Sequence, residues 1–244
     1  DCLAGTVETS GPSPPGRPPG ARTTKRRGRM PPGSMRALTE IAPSWGLGGV
    51  RPCVLRLLAR AFGRQAPRLL DVGGGSGEAS RAWANDRKDW DVVVVELHRP
   101  GMARLVRDLD AEGPPNLRVV EADVATVVEE ELEPGSIHAV RILFPDPWPK
   151  RRHLDRRLVD DRFVARVVDL LPPGGWLHVA TDWTAYGTQA RAAMEAEPRL
   201  RPVTDDPGPV WTSPRPPRPV TAYERRGLDA GRTIVDLVAE RVPA

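Results

Sequence analysis

Apolar positions along this chain fall into two rhythms that alternate from Arg68 onward. Short, almost unbroken apolar runs stand at Leu69–Val72, Val92–Val95, Leu117–Val120, Ile137–Leu143 and Trp176–Ala180. Their length and valine content predict β-strands. Their lack of polar alternation predicts strands covered on both faces, as in a parallel sheet. Between them lie segments with a helical apolar period: Gly77–Ala84, Gly101–Glu112, Asp155–Leu171 and Thr184–Ala196. Strands alternating with helices predict a doubly wound α/β fold. A last strand is expected at Ile234–Val238. Residues 198–219 hold eight prolines and are expected to form an irregular loop. Upstream, a helix is predicted over Arg51–Phe62 and a short one after Ser34. No internal repeat is present.

The first residues break both rhythms. Residues 1–34 contain seven prolines with many Gly, Ser and Thr, too little apolar content to form a core. They are expected to be a disordered arm, with a folded domain over residues 35–244. From Gly11 to Thr39 there is no acidic residue, whereas Arg17, Arg22, Lys25, Arg26, Arg27, Arg29 and Arg36 all fall there. Such an arm suits nucleic acid, although an arginine-rich tail without function would look the same. The whole chain is only mildly basic, with a formal net charge of +4. Its two cysteines, Cys2 and Cys53, give no disulfide framework and no metal spacing, which fits a reducing, cytoplasmic setting. No secretory leader pattern and no apolar run of membrane-spanning length is visible, so no membrane partner is expected. His98, His138 and His178 lack ligand-spaced partners, and no metal site is expected.

Two loops carry candidate chemistry. The first follows the first core strand, in Leu69-Leu-Asp-Val-Gly-Gly-Gly-Ser-Gly77. Gly73, Gly75 and Gly77 permit a tight turn and close approach of a ligand to the backbone. The spacing departs from the dinucleotide fingerprint, because Glu78 stands three residues after Gly75, so a nicotinamide cofactor is disfavoured. Acidic residues follow at successive strand ends. Asp71 lies in the first strand, Glu96 ends the second, and Asp123 follows the third. A carboxylate at the Glu96 position can accept both hydroxyls of a ribose.

The second loop is Phe144-Pro-Asp-Pro-Trp-Pro-Lys150, which ends the fourth strand. Pro145 and Pro147 brace Asp146 by fixing their own φ angles and restricting their neighbours. Six Lys or Arg fall between Arg141 and Arg157, among them Lys150, Arg152, Arg156 and Arg157. A braced carboxylate, an aromatic ring and cations that seek phosphate suggest work on a nucleic-acid base. The plainer reading is a rigid loop before the solvated face of a helix. Trp148 is read as a plug of that loop in preference to a stacking platform. Asp182 is read either as a site acid or as the N-cap of the helix from Thr184.

These residues are similar to the bacterial tRNA (guanine-N7-)-methyltransferase family. The glycine loop after an acidic strand resembles the first motif of S-adenosylmethionine-dependent methyltransferases. The Phe144–Arg157 stretch resembles the family's signature loop. Ala180-Thr-Asp-Trp183, Arg218-Pro-Val-Thr-Ala-Tyr-Glu-Arg-Arg-Gly227 and Arg27-Gly-Arg-Met30 match further family segments, so the resemblance spans roughly residues 27–242. It implies a Rossmann-like, mostly parallel seven-stranded sheet and methyl transfer from S-adenosylmethionine to N7 of guanine 46 in the tRNA variable loop. It further implies cofactor contacts from Asp71, Gly73, Gly75, Gly77, Glu96, Asp123 and Asp146, with Asp146 catalytic. Substrate contacts are implied for Lys150, Arg152, Arg156, Arg157, Asp182, Thr221 and Glu224. Asp71 stands where the family more often has Glu, Ala222 where it has Lys, and Tyr223 where it has Phe. Leu154 and Asp155 interrupt the basic run. The alternatives are a small-molecule methyltransferase, which should lack the cationic run, and a non-catalytic RNA-binding protein, which should have lost the acids. Monomer and homodimer remain equally open.

Overall fold

The computed structural model describes Phe62, residues 64–205 and residues 211–243. All of them belong to the unit spanning Gly33–Ala244. The expected arm, the short helix after Ser34 and nearly all of the expected helix over Arg51–Phe62 lie outside the described residues.

Seven strands form one sheet in the order β3-β2-β1-β4-β5-β7-β6. They are β1 (Arg68–Val72), β2 (Asp91–Glu96), β3 (Leu117–Glu121), β4 (Ala139–Leu143), β5 (Trp176–Thr181), β6 (Leu200–Pro202) and β7 (Val235–Arg241). The first five are parallel, and β7 runs antiparallel between β5 and β6. The helices are α1 (Glu78–Asp86), α2 (Arg99–Glu112), α3 (Val124–Thr126), α4 (Asp161–Leu170), α5 (Thr184–Ala196) and α6 (Ala222–Asp229). A π-helical turn, Val127–Glu131, continues α3.

The unbroken apolar strands have the expected reason. Side chains alternate across a strand, so Val92 and Val94 enter one buried cluster with Leu69, Leu105 and Leu117. Val93 and Val95 enter the other, with Leu70, Ile142, Phe163 and Val167. Both faces are covered, and neither tolerates polar alternation.

Two expectations need correction, and one element was not foreseen. The proline-rich stretch at 198–219 is not wholly irregular, because Leu200–Pro202 forms β6 at the sheet edge. An edge strand tolerates Pro202, whose missing N–H faces no partner strand. The long helix expected over Asp155–Leu171 is two elements. Arg151–Arg156 is a 3₁₀ turn, and α4 begins only at Asp161, because the Asp160 carboxylate caps it by accepting Phe163 N–H at 2.8 Å. The turns over Val124–Glu131 were not expected at all. Asp123 starts them by accepting the N–H groups of Ala125 and Thr126.

Strand order reverses between β1 and β4, with β2 and β3 on one side and β5 on the other. In a doubly wound sheet such a switch point opens a crevice at the C-terminal strand ends. The glycine loop, Glu96, Asp123 and the Phe144–Lys150 loop all leave the sheet at that edge.

Candidate active site

A cleft of about 460 Å³ occupies the switch point, within the range of roughly 300–1,000 Å³ usual for small-molecule sites. Gly73, Glu96, Asp123, Asp146, Trp148, Arg156 and Tyr223 are among its lining residues.

Of the three expected glycines, Gly73 lines the cleft, while Gly75 and Gly77 are buried and shape the turn. Gly73, Gly75 and Gly77 have φ of +67°, +56° and +75°, which side-chain-bearing residues rarely adopt. A Cβ on Gly77 would also come within 2.2 Å of Leu105 Cδ1, so glycine is required twice over there. Glu96 is buried and ties the loop to β2. One carboxylate oxygen accepts Gly75 N–H at 2.8 Å and the other accepts His98 N–H at 2.6 Å. Each oxygen keeps lone-pair capacity toward the cleft it lines, as a diol contact requires.

The opposite wall is the proline-braced loop. Phe144 and Trp148, with φ of +54° and +38°, are the only non-glycine residues in left-handed backbone among those described. Strain of this kind costs about 1–3 kcal/mol per residue and persists where the surroundings impose a shape. Here it holds Asp146 between two prolines. Asp146 is exposed in the cleft and has no hydrogen bond or ion pair among the described residues. Trp148 is not a buried plug. It is half-buried in the cleft wall, edge-on to His153 at 5.7 Å, with Arg156 stacked on it at 5.1 Å.

Several other expected residues face inward. Asp71 is 2 % exposed, its carboxylate taken by Arg141 Nη2 at 2.6 Å and by the Ser80 hydroxyl. Arg157 was expected to meet RNA phosphates. It is buried, donates to the Pro147 carbonyl at 2.9 Å and to Gln189 Oε1 at 2.8 Å, and stacks over Tyr186. It braces the Phe144–Lys150 loop through that carbonyl. Glu224 was expected to meet substrate, but it is buried between Arg215 and Arg218. Asp182 pairs with Arg232 at 2.7 Å and does not cap α5, whose N-cap position is Trp183. Thr221 caps α6 by accepting Glu224 N–H at 3.2 Å. Lys150, Arg152 and Arg156 are exposed as expected.

Tyr223 falls within the Thr221–Glu224 segment that the resemblance brings to the substrate, whereas Arg218 had no role assigned. Tyr223 is 49 % exposed and lines the cleft above the glycine loop, where a Cβ on Gly75 would lie 3.4 Å from its ring. Arg218 joins Glu224 to Asp236 and stacks on Phe144 at 5.6 Å. Asp236 in turn holds His178 at 2.7 Å, and burial keeps the imidazole pKa below its usual value. Both residues sit in the Arg218–Gly227 segment, so the signal was present without its geometry.

A family model described as "Putative methyltransferase" matches residues 65–237. The tRNA (guanine-N(7)-)-methyltransferase of Alkalilimnicola ehrlichii is 41 % identical, covering 91 % of this chain and 92 % of that protein. The enzyme of the same name from Halorhodospira halophila is 40 % identical over 88 % of this chain and 91 % of its own. This chain belongs to that family. Solved structures agree on the methyltransferase fold. The 16S rRNA methyltransferase KamB superposes with a TM-score of 0.55 at 18 % identity, covering 78 % of this chain and 93 % of its own. Among the described residues of this family member, no helix is long and apolar enough to cross a membrane, and no group of three or more His, Cys, Asp or Glu could hold a metal.

The cleft fits S-adenosylmethionine in volume and in donor chemistry: a glycine floor, a two-oxygen acceptor at Glu96 and an exposed acid at Asp123. Glu96→Ala is expected to weaken cofactor binding by roughly tenfold or more, since a hydrogen bond to a charged group contributes about 1.5–3 kcal/mol. Calorimetry reads this directly, and unchanged affinity would remove Glu96 from the ribose contact.

Proposed function

We propose that this chain transfers a methyl group from S-adenosylmethionine to N7 of a guanine in tRNA, at position 46 of the variable loop. The observation that carries this reading is Asp146: a carboxylate without a partner among the described residues, braced by two prolines, in a cleft that also offers a ribose acceptor and opens beside exposed cations. Family membership supports it independently.

Bound in the cleft, S-adenosylmethionine supplies a methyl group activated by its sulfonium. Glu96 and Asp123 hold the nucleoside end, and the glycine floor admits it to the backbone. Guanine N7 already carries a lone pair, so the chain has no proton to remove. Its task is to align the base for in-line attack. The methylated ring becomes cationic, and a carboxylate fixed beside it stabilises that charge as it develops. Asp146 serves this purpose. Trp148, Tyr223 and Phe144 wall the cleft and reduce its access to water.

Lys150, Arg152 and Arg156 are exposed beside Asp146, where the tRNA backbone passes when its guanine enters the cleft. Each phosphate contact releases counterions. Alanine at all three positions is therefore expected to lower the log–log salt slope of tRNA binding by about two units, somewhat under one per contact. Cofactor affinity should not change. Filter binding across a salt series checks this, with deletion of residues 1–26 as the comparison. If the deletion flattens the slope and the triple variant does not, the arm carries the RNA and the loop does not. Arg157→Ala should instead lower stability, because that side chain is spent on Pro147 and Gln189.

A further inference from the structure

We infer that Glu78, and not Asp71, is the carboxylate that receives the α-ammonium of the cofactor's amino-acid tail. This rests on the cofactor reading above.

Asp71 has the expected position, but its charge is matched by a buried guanidinium. It stands in register with Arg141 across the parallel β1–β4 pair, and both side chains are 2 % exposed. One Asp71 oxygen, Oδ2, takes both Arg141 Nη2 and the Ser80 hydroxyl. The pair is internally neutral, and a second cation brought to Asp71 would meet the Arg141 guanidinium. A buried charge already satisfied in this way offers little to a ligand.

Glu78 differs on each count. It is the first residue of α1 and is only half-buried. Its Oε2 accepts Ala222 N–H at 2.9 Å, and its Oε1 has no partner among the described residues. Glu78 and Asp71 are the only charged residues lining a small cavity of about 30 Å³, together with Gly73, Gly74, Ser76 and Thr221. That is room for about one water-sized polar group. The cavity shares Gly73, Leu143 and Tyr223 with the main cleft, so it opens from the cofactor site itself. With the charge of Asp71 cancelled, Glu78 is the uncompensated acid there. An ammonium is the small cation such a pocket selects, and the Ser76 and Thr221 hydroxyls are there to share its protons.

The contact also connects two parts of the site. Glu78 links α1 to the start of α6, the helix that carries Tyr223, through the Ala222 N–H bond. A filled cavity would therefore meet the glycine loop and the Tyr223 segment together.

Glu78→Gln tests this without disturbing the helix contact, because the amide oxygen still accepts the Ala222 N–H while the charge is gone. Two ligands separate the roles: S-adenosylhomocysteine carries the amino-acid tail, and 5′-methylthioadenosine has the same thioether nucleoside without it. Calorimetry on the full chain should show the S-adenosylhomocysteine affinity falling about tenfold or more, as for loss of a charge-assisted hydrogen bond. The 5′-methylthioadenosine affinity should be unchanged. Unchanged S-adenosylhomocysteine affinity overturns the assignment. An equal loss on both ligands also overturns it, because Glu78 would then act only through the helix contact. A parent chain that binds neither ligand overturns the cofactor reading itself, and this inference with it.

Discussion

Replacing Asp146 by Asn is expected to lower kcat for methyl transfer by about 10²–10³-fold, the usual cost of removing one preorganised charge from a transition state. The fold should survive. Asp146 is exposed and makes no ion pair or hydrogen bond among the described residues, so its loss leaves no buried partner behind. The loop's shape comes from Pro145, Pro147 and the Arg157 bond to the Pro147 carbonyl, none of which the substitution touches. Asn preserves size and can still accept a hydrogen bond, so the measured loss isolates the negative charge. The check is single-turnover kinetics on tRNA beside a thermal melt. Near-normal turnover removes Asp146 from the mechanism, and a collapsed melting temperature would show that the loop depends on it structurally.

The second large effect is on stability. Arg218→Met is expected to destabilise the protein by about 3–5 kcal/mol, because it leaves uncompensated buried charge. The Arg218 side chain is 1 % exposed and bridges Glu224 and Asp236, two carboxylates that are themselves buried. Methionine fills similar volume, so the cavity contribution is small and the lost compensation dominates. For a domain of this size the melting temperature should fall by roughly 10 °C. Arg218→Lys should recover part of that, since it restores the charge without the fork that reaches both acids. Activity should also suffer in the Met variant, because Arg218 packs on Phe144 at the entrance to the catalytic loop. A melting temperature that hardly moves would mean the network is not held by this residue.

What the sequence revealed followed from local rules. The parallel strands were legible because burial on both faces forces unbroken apolar runs, and Val92–Val95 is an example. Gly73, Gly75 and Gly77 were legible because a positive φ leaves few alternatives. The residues brought to the cleft, Glu96, Asp123, Asp146 and Arg156, are those placed by strand ends and by proline bracing. Other expected site residues have partners that no local rule supplies. Asp71, Arg157, Asp182 and Glu224 looked like site residues by type and position. The first three are tied by groups distant in sequence, Arg141, Gln189 and Arg232 respectively, and Glu224 by the nearby Arg218. Strand register and helix docking choose such partners, and neither is written in a local pattern. β6 was hidden for a related reason. Its three residues carry a proline, and only pairing with β7 makes them a strand.

The atom that receives the methyl group decides between this reading and its alternatives. Incubating the full chain with methyl-labelled S-adenosylmethionine and bulk tRNA lacking 7-methylguanosine, then digesting to nucleosides, tests it most directly. Label that co-migrates with 7-methylguanosine is the predicted result. Label in any other nucleoside, or tRNA that stays unlabelled while the chain binds the cofactor, would contradict it.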